Sequence, residues 1–267
     1  MSTPPEPLLA FADNPALADA LGRIDALAGR YRDLRAAGLI LPNSVEAMRV
    51  ELTYHSNALE GSTLTLRDTA MVVEGREPNT GKSLREIYEA RNHDRALRMV
   101  EGWATTRPAE PLTEADLLAV HREVLADIDR DGAGHFRTGR VLITGTRYVP
   151  PSSAKFPQLL PALLELANRP AAHPVLQAAE LHYNFVAVHP FGDGNGRTGR
   201  LLMNLHLLRR GFPHAIVPVE RRAEYLAALD EANAGHSGPF AAFVASCVED
   251  STRRLAGDGV GSPSHPA

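Results

Sequence analysis

Among 267 residues there is a single cysteine, Cys247, so neither a disulfide framework nor a cysteine-based zinc site is available to hold the fold. Cys247 falls in an apolar run with Phe240, Phe243 and Val244 at helical spacing and reads as a buried hydrophobe. A basic excess is also lacking. The formal net charge is -4 and the pI about 6.3, which argues against a broad phosphate-binding face, so no nucleic-acid partner is expected. No stretch reaches the roughly 18 charge-free residues of a membrane span. The start, Met-Ser-Thr-Pro-Pro-Glu, has neither a basic n-region nor an apolar h-region. The expectation is a soluble, cytoplasmic protein with no membrane partner, and no internal repeat is visible.

What is present suffices for a core, with 44% of residues hydrophobic. Apolar residues recur at three and four almost throughout, with capping signals between them, so the fold class is all-α. Asn14 and Pro15 suit an N-cap and first helical position. Leu17, Leu21, Ile24, Leu27, Tyr31 and Leu34 form one stripe, and Gly38 fits a C-cap. A second helix is predicted from Ser44 to about Leu59, with Val45, Met48, Leu52 and Leu59 on its buried side. Thr65 with Asp68, Ser83 with Glu86, and Thr113 with Asp116 each resemble a capping box. Further helices are predicted over 156–169, 174–188, 195–210, 222–234 and 239–255.

Pro108 and Pro111 mark the best boundary, dividing an N-terminal helical region, 1–108, from a core, 109–255. The Gly/Pro/Ser-rich tail, 256–267, reads as disordered. Between Arg137 and Pro157 the texture changes. Val141-Leu142-Ile143 and Tyr148-Val149 flank Thr144-Gly145-Thr146-Arg147, which reads as a short β-hairpin stopped by Pro150-Pro151. The polar run Arg91 to Arg95, inside an otherwise apolar helix, fits either a solvated face or an approach to a site.

Chemistry concentrates in one segment: His189-Pro-Phe-Gly-Asp-Gly-Asn-Gly-Arg-Thr-Gly-Arg200. Gly192, Gly194 and Gly196 let backbone N–H groups turn toward a ligand. Asn195 and Gly196 open a helix whose unpaired donors and dipole favour a phosphate. Arg197 and Arg200, three apart on one face, can hold phosphate oxygens bidentately. Asp193 suits Mg²⁺, which is commonly shared between a carboxylate and phosphate oxygens. His189 is the side chain in this run suited to accept a proton near neutral pH. Together these are the parts of a phosphoryl- or nucleotidyl-transfer site.

Taken singly, each part has an ordinary reading: a capping histidine, two solvated arginines, a glycine turn. Their coincidence favours a site. A P-loop is excluded because no Lys-Ser/Thr follows the glycines. The run from Gly194 to Gly199 matches a dinucleotide fingerprint literally, with Glu220 about twenty residues on. Five residues including Pro190 separate it from the nearest possible strand, however, and Pro218 interrupts the second. A hydrolytic metal site built on His182, His189 and Asp193 leaves the glycines and both arginines without a role.

The segment from His189 to Arg200 matches throughout the signature of the Fic family, His-Pro-Phe-x-Asp/Glu-Gly-Asn-Gly-Arg-x-x-Arg. Gly134-His135-Phe136-Arg137, the hairpin, and residues from Tyr225 to Phe240 resemble the regions flanking that family's site. The resemblance covers roughly 111–250. It implies a Fic-type helical core with a short hairpin flap and an N-terminal helical region, and an enzyme that moves AMP from ATP to a Ser, Thr or Tyr hydroxyl of a protein. His189 would be the base and Asp193 the Mg²⁺ ligand. Gly194, Asn195 and Gly196 would form the anion hole, Arg197 would bind the β-phosphate region and Arg200 the γ-phosphate. Tyr225 and Asn233 resemble the adenosine wall. The target would dock on the flap from Val141 to Val149, and self-modification or a homodimer is compatible with the family.

Upstream, Ser56-Asn57-Ala58-Leu59-Glu60-Gly61 matches the family's inhibitory motif, Ser/Thr-x-x-x-Glu-Gly/Asn. This implies that Glu60 pairs with Arg200 and takes the place of the γ-phosphate. Ser56 and Glu60, four apart, share a helix face, so one could steady the other. Two alternatives stay open: removal of AMP, or transfer of another phosphate-bearing group, on the same fold; and, from another class, a regulatory module that holds nucleotide without turnover.

Overall fold

Capping chemistry sets the helix boundaries. In the computed structural model, which describes residues 6–11, 14–76, 81–143, 146–170 and 173–257, ten α-helices follow one another. They are α1 (Ala18–Ala36), α2 (Pro42–Ala58), α3 (Leu66–Val73), α4 (Leu84–Thr106), α5 (Glu114–Val124), α6 (Phe156–Asn168), α7 (Pro174–Val188), α8 (Asn195–Arg209), α9 (Arg222–Asn233) and α10 (Ser237–Ala256). All three proposed capping boxes are formed, opening α3, α4 and α5. Asn14 accepts from the Ala16 N–H at 3.1 Å and starts a 3-10 turn, Pro15–Leu17, that leads into α1. After α1, Gly38 sits at φ +69° while the Leu39 N–H returns 2.9 Å to the Leu34 carbonyl, the expected glycine stop. Helix α2 begins earlier than Ser44 because Pro42 occupies a first-turn position.

Of the described residues 67% are helical and none lies in a strand, in keeping with the all-α expectation. The hairpin is a correction. Residues 141–143 and 146–150 form no ladder, Leu142 and Val149 are exposed, and the proposed turn residues Thr144 and Gly145 lie outside the described residues. Ile143 and Tyr148 turn inward, with the Tyr148 hydroxyl donating to the Ala187 carbonyl at 3.0 Å, so the segment packs on the helical core instead of pairing with a second strand. The proposed disordered tail also lies largely outside the described residues, from 258 onward.

Helices α7 and α8 form the centre and are buried on nearly every side, which is why neither reads as strongly amphipathic. Gly199 permits their close approach: a Cβ there would lie 2.9 Å from His182 Nδ1 and 3.2 Å from both Phe185 and Val186. One apolar cluster gathers Leu117, Val120, Leu163, Phe185, Phe191 and Leu201. A second gathers Ile24, Val175, Met203, Phe240, Val248 and the buried Cys247. Helices α2, α4 and α5 lie against α8, α6 and α10 against α7, and α1 covers α10. This arrangement carries the end of α2 to the start of α8. Among the described residues no helix is long and apolar enough to cross a membrane.

Candidate active site

His189 ends α7 in the left-handed region, at φ +50° and ψ +59°, an uncommon conformation for a residue with a Cβ. Its N–H still bonds the Phe185 carbonyl at 3.0 Å, and its ring Nδ1 lies 3.2 Å from the Val186 carbonyl. A carbonyl only accepts, so Nδ1 carries the hydrogen and Nε2 is left with its lone pair. Burial pushes the imidazole pKa below its ordinary value, with the Val186 carbonyl opposing and the Arg137 guanidinium assisting. The ring is therefore neutral at pH 7. Arg137 fixes the turn from outside: its Nε donates to the His189 carbonyl at 2.7 Å, while Nη1 and Nη2 donate to the carbonyls of Gly139 and Pro151.

The loop between α7 and α8 is held from two more directions. The Asn195 side chain turns inward and exchanges two 3.0 Å hydrogen bonds with the Phe191 backbone, so only its backbone N–H faces the expected anion site. His121, stacked on Phe191 at 3.6 Å, accepts from the Gly134 N–H through Nδ1 and hence donates through Nε2 to the Asp193 carbonyl at 2.9 Å. Gly194 caps α8 at φ +75°, and the first N–H groups of that helix have no intrahelical acceptor.

Around them runs a ring of charge. Arg197, 2% exposed, has Nη1 3.2 Å from Glu89 and Nη2 3.5 Å from Asp193. Arg85 bonds both acids in turn, at 3.1 Å to Glu89 and 2.6 Å to Asp193. Burial alone would raise the Asp193 pKa, but Arg197, the Gly194 N–H and Arg85 hold it below the ordinary aspartate value. Asp193 is thus an ionised carboxylate, 47% exposed beside the start of α8. Among the described residues no three acids, histidines or cysteines cluster as a metal cage. A single carboxylate beside an anion-binding helix end fits Mg²⁺, which is commonly held by one or two carboxylates together with substrate phosphate.

Arg200, 3% exposed, reaches back to α2. Its Nε donates to Ser56 Oγ at 3.0 Å, and Nη2 donates both to the Ser56 carbonyl and to Glu60 Oε1, each at 2.8 Å. Ser56 and Glu60 do share a face, both turned to Arg200, but Ser56 bonds Arg200 and not Glu60, so any steadying of one by the other runs through the guanidinium. Gly61, at φ +99°, turns the chain away just after Glu60. Arg222 anchors the same turn by donating to the Leu59 carbonyl at 3.1 Å. Gly196 lies so close to the Glu60 carboxylate that a Cβ there would collide with it.

A cavity of about 170 Å³ joins these groups, lined by Glu60, His189, Gly196, Arg200, Tyr225 and Asn233 among others, with Ile143 and Tyr148 at its side. Tyr225 contributes an edge only. It is 5% exposed, its hydroxyl lies 2.9 Å from His182 Nε2, and Leu226 and Leu229 make up the neighbouring wall. Of the polar run in α4, Asn92 and His93 are wholly buried; His93 bonds Thr53 at 3.1 Å behind the arginines. Arg85, Glu89, His121 and Arg137 were not legible as site residues. Glu89 and Arg85 are an ordinary i, i+4 pair by sequence, and only the packing of α4 on α8 brings them to Asp193 and Arg197.

Residues 111–207 match the Fic/DOC family. The chain is similar to protein adenylyltransferase fic-1 of Caenorhabditis elegans, with 40% identity over 207 residues, 76% of this chain and 40% of that protein. It is also similar to protein adenylyltransferase Fic of Nematostella vectensis, with 36% identity over 232 residues, 86% of this chain and 54% of the other. It thus spans about half or less of the length of these curated relatives. The solved structure of Fic-1 residues 134–508 from C. elegans superposes with a TM-score of 0.78 at 34% identity, over 90% of this chain and 72% of that one. The chain belongs to the Fic/DOC family.

Proposed function

We propose that this chain is a protein adenylyltransferase restrained by its own α2 turn. The observation that carries the reading is the shared cavity, where a neutral His189 with a bare Nε2, the start of α8 and the Glu60–Arg200 pair face one space. The relatives named above are protein adenylyltransferases.

In this reading ATP lies with its phosphates against the N–H groups of Asn195 and Gly196, and of Gly194 once it gives up its 2.6 Å bond to Asp193 Oδ1, beside Arg197 and Arg200. A hydroxyl of the target protein attacks the α-phosphorus, its proton passes to His189 Nε2, and the bond to pyrophosphate breaks. Mg²⁺ on Asp193 would neutralise phosphate charge. Arg137 and the Val186 carbonyl keep the imidazole oriented, and Asn195 and His121 keep the loop rigid, so the geometry needs little reorganisation during reaction. Asn233 and the Leu226–Leu229 wall would take the adenosine. Residues 1–108 would then act as the regulatory region and 109–255 as the catalytic core.

Restraint follows from occupancy. Arg200 donates to Ser56 and Glu60 and so has little left for a γ-phosphate, while the Glu60 carboxylate adds negative charge where that phosphate would lie. The exposed side chains of Leu142 and Val149 leave a surface for a target peptide to dock on, and this docking, self-modification and a homodimer belong to the same proposal. A lone buried thiol suits the cytoplasm.

The test uses Mg²⁺ and ATP labelled at the α- or γ-phosphate with wild type, Glu60→Gly and Glu60→Gly/His189→Ala. Label arriving from the α-position alone, strong in Glu60→Gly, weak in wild type and lost in the double variant, is the expected result. Transfer from the γ-position would replace this reading with phosphorylation. Loss of AMP from a modified target, abolished by Glu60→Gly, would favour the reverse reaction.

A further inference from the structure

At the far end of α8 lies a second cavity, of about 250 Å³, between the loop 108–112, the end of α6 and the last turns of α8. Arg200 and Arg209 are nine residues apart, about 13 Å along the helix axis, so this cavity is separate from the site above. Its floor is apolar, with Leu112, Leu181, Leu202 and Leu205. Glu110, Asn168 and Arg210 also line it, and His206 and Arg209 lie at its polar end.

Those two side chains are unusual. His206 is 8% exposed, yet its Nε2 is buried with no hydrogen-bond partner among the described residues, and the same holds for Nε and Nη2 of Arg209. Buried donors without acceptors are destabilising, and a guanidinium is among the most costly. The two bare Arg209 atoms form one edge of the fork, the edge whose parallel N–H bonds match the two oxygens of a carboxylate. Neighbouring acids do not fill the role. Asp116 is engaged by Arg107 at 2.7 Å and by the α5 cap, and Glu110, on the rim with its side chain 61% exposed, lies 3.7 Å from Arg107. Arg210 adds a further positive charge at the lining.

We propose that this cavity is a second ligand site, for a small organic carboxylate whose head is held by Arg209 and His206 and whose apolar body lies against Leu112, Leu181, Leu202 and Leu205. An inorganic phosphate would leave the leucine floor bare, so the hydrocarbon body is part of the recognition. Burial, with Arg210 and Arg209 nearby, pushes His206 down to about 4, and a bound anion would draw it upward.

The experiment titrates the full chain with hexanoate, hexanamide and inorganic phosphate by calorimetry, with no nucleotide present, so its outcome is independent of the adenylyltransferase reading. Wild type should bind hexanoate saturably, and hexanamide and phosphate at least tenfold more weakly. Arg209→Lys, which keeps the charge and loses the fork, should weaken hexanoate about tenfold, and Leu205→Trp, which fills the floor, should abolish binding. The His206 ring resonances should titrate at higher pH when hexanoate is bound. Absence of saturable hexanoate binding by wild type overturns the proposal. So does equal affinity for hexanamide or phosphate, or unchanged affinity in a folded Arg209→Lys variant.

Discussion

The Arg85 guanidinium stands 2.6 Å from Asp193 Oδ2, so the carboxylate best placed for a divalent cation already faces an organic one. Arg85, Glu89, Arg197 and Asp193 close a ring of alternating charge at 3.1, 3.2, 3.5 and 2.6 Å. Placing a metal on Asp193 requires that contact to open. Arg85 is 59% exposed, and ion pairs of that kind are worth about 0.2–1 kcal/mol. Arg85→Ala should therefore lower the Mg²⁺ concentration for half-maximal nucleotide binding by up to about fivefold, measured by fluorescence of a labelled ATP analogue. A rise instead would mean that Arg85 contributes to phosphate binding.

Ser56 touches Arg200 twice, through its hydroxyl and its carbonyl, and only the first contact depends on the side chain. Ser56→Ala leaves Glu60 in place but frees Arg200 Nε, a buried charged donor whose lost bond is worth roughly 1.5–3 kcal/mol. Partial release is expected: labelling above wild type and below Glu60→Gly, with melting lowered slightly. Labelling identical to wild type would show that Glu60 alone restrains Arg200.

Most of this architecture was legible because it is local. Three capping boxes, a glycine stop after α1 and the span of α7 are short-range chemistry, and each appeared where the sequence put it. The segment from His189 to Arg200 was legible for the same reason. What failed was non-local. The hairpin depended on pairing between residues 141–143 and 146–150, which pack on the helical core and form no ladder. Arg137 reaches His189 across 52 positions, and the buried polar run at Asn92 and His93 gains meaning only from α2 and α5 packed against it.

The lowered pKa of His189 shifts the acid side of the pH profile. A base must be unprotonated, so depression of its pKa by burial keeps it competent below the ordinary histidine range. In Glu60→Gly, where a carboxylate that raises the pKa is removed, the acid limb of the labelling rate should lie below about pH 6.5. A limb above that value would assign the titration to another group.

Stability should also fall with acid. His93 and His182 are pushed down to about 3 and His121 to about 4, in each case first by burial. Their folded pKa values lie below the unfolded value, so the unfolded chain binds more protons between about pH 6.5 and pH 3–4. Unfolding free energy should then drop as pH falls through that window, by up to about 1.4 kcal/mol per pH unit for each histidine. Urea melts at pH 7, 6 and 5 measure this, and His93→Gln should flatten the slope.

Two glycines inside helices make opposite demands. At Gly199 an added Cβ meets the α7 side chains of His182, Phe185 and Val186 at 2.9 to 3.2 Å, and those residues are fixed in the core. Gly199→Ala should cost about 1–3 kcal/mol by overpacking. It should also displace α8 from α7, moving Arg200 relative to His189 and depressing labelling in the Glu60→Gly background. At Gly102, exposed in α4, nothing lies within 4 Å of the same position, and the backbone is helical. Gly102→Ala should therefore stabilise by about 0.5–1 kcal/mol, since the unfolded chain loses freedom and no contact is strained. Thermal melts of the two single variants check both signs together. A Gly199→Ala variant as stable as wild type would show that the α7–α8 approach tolerates a methyl group, and the tight seam would then not be what positions the arginines.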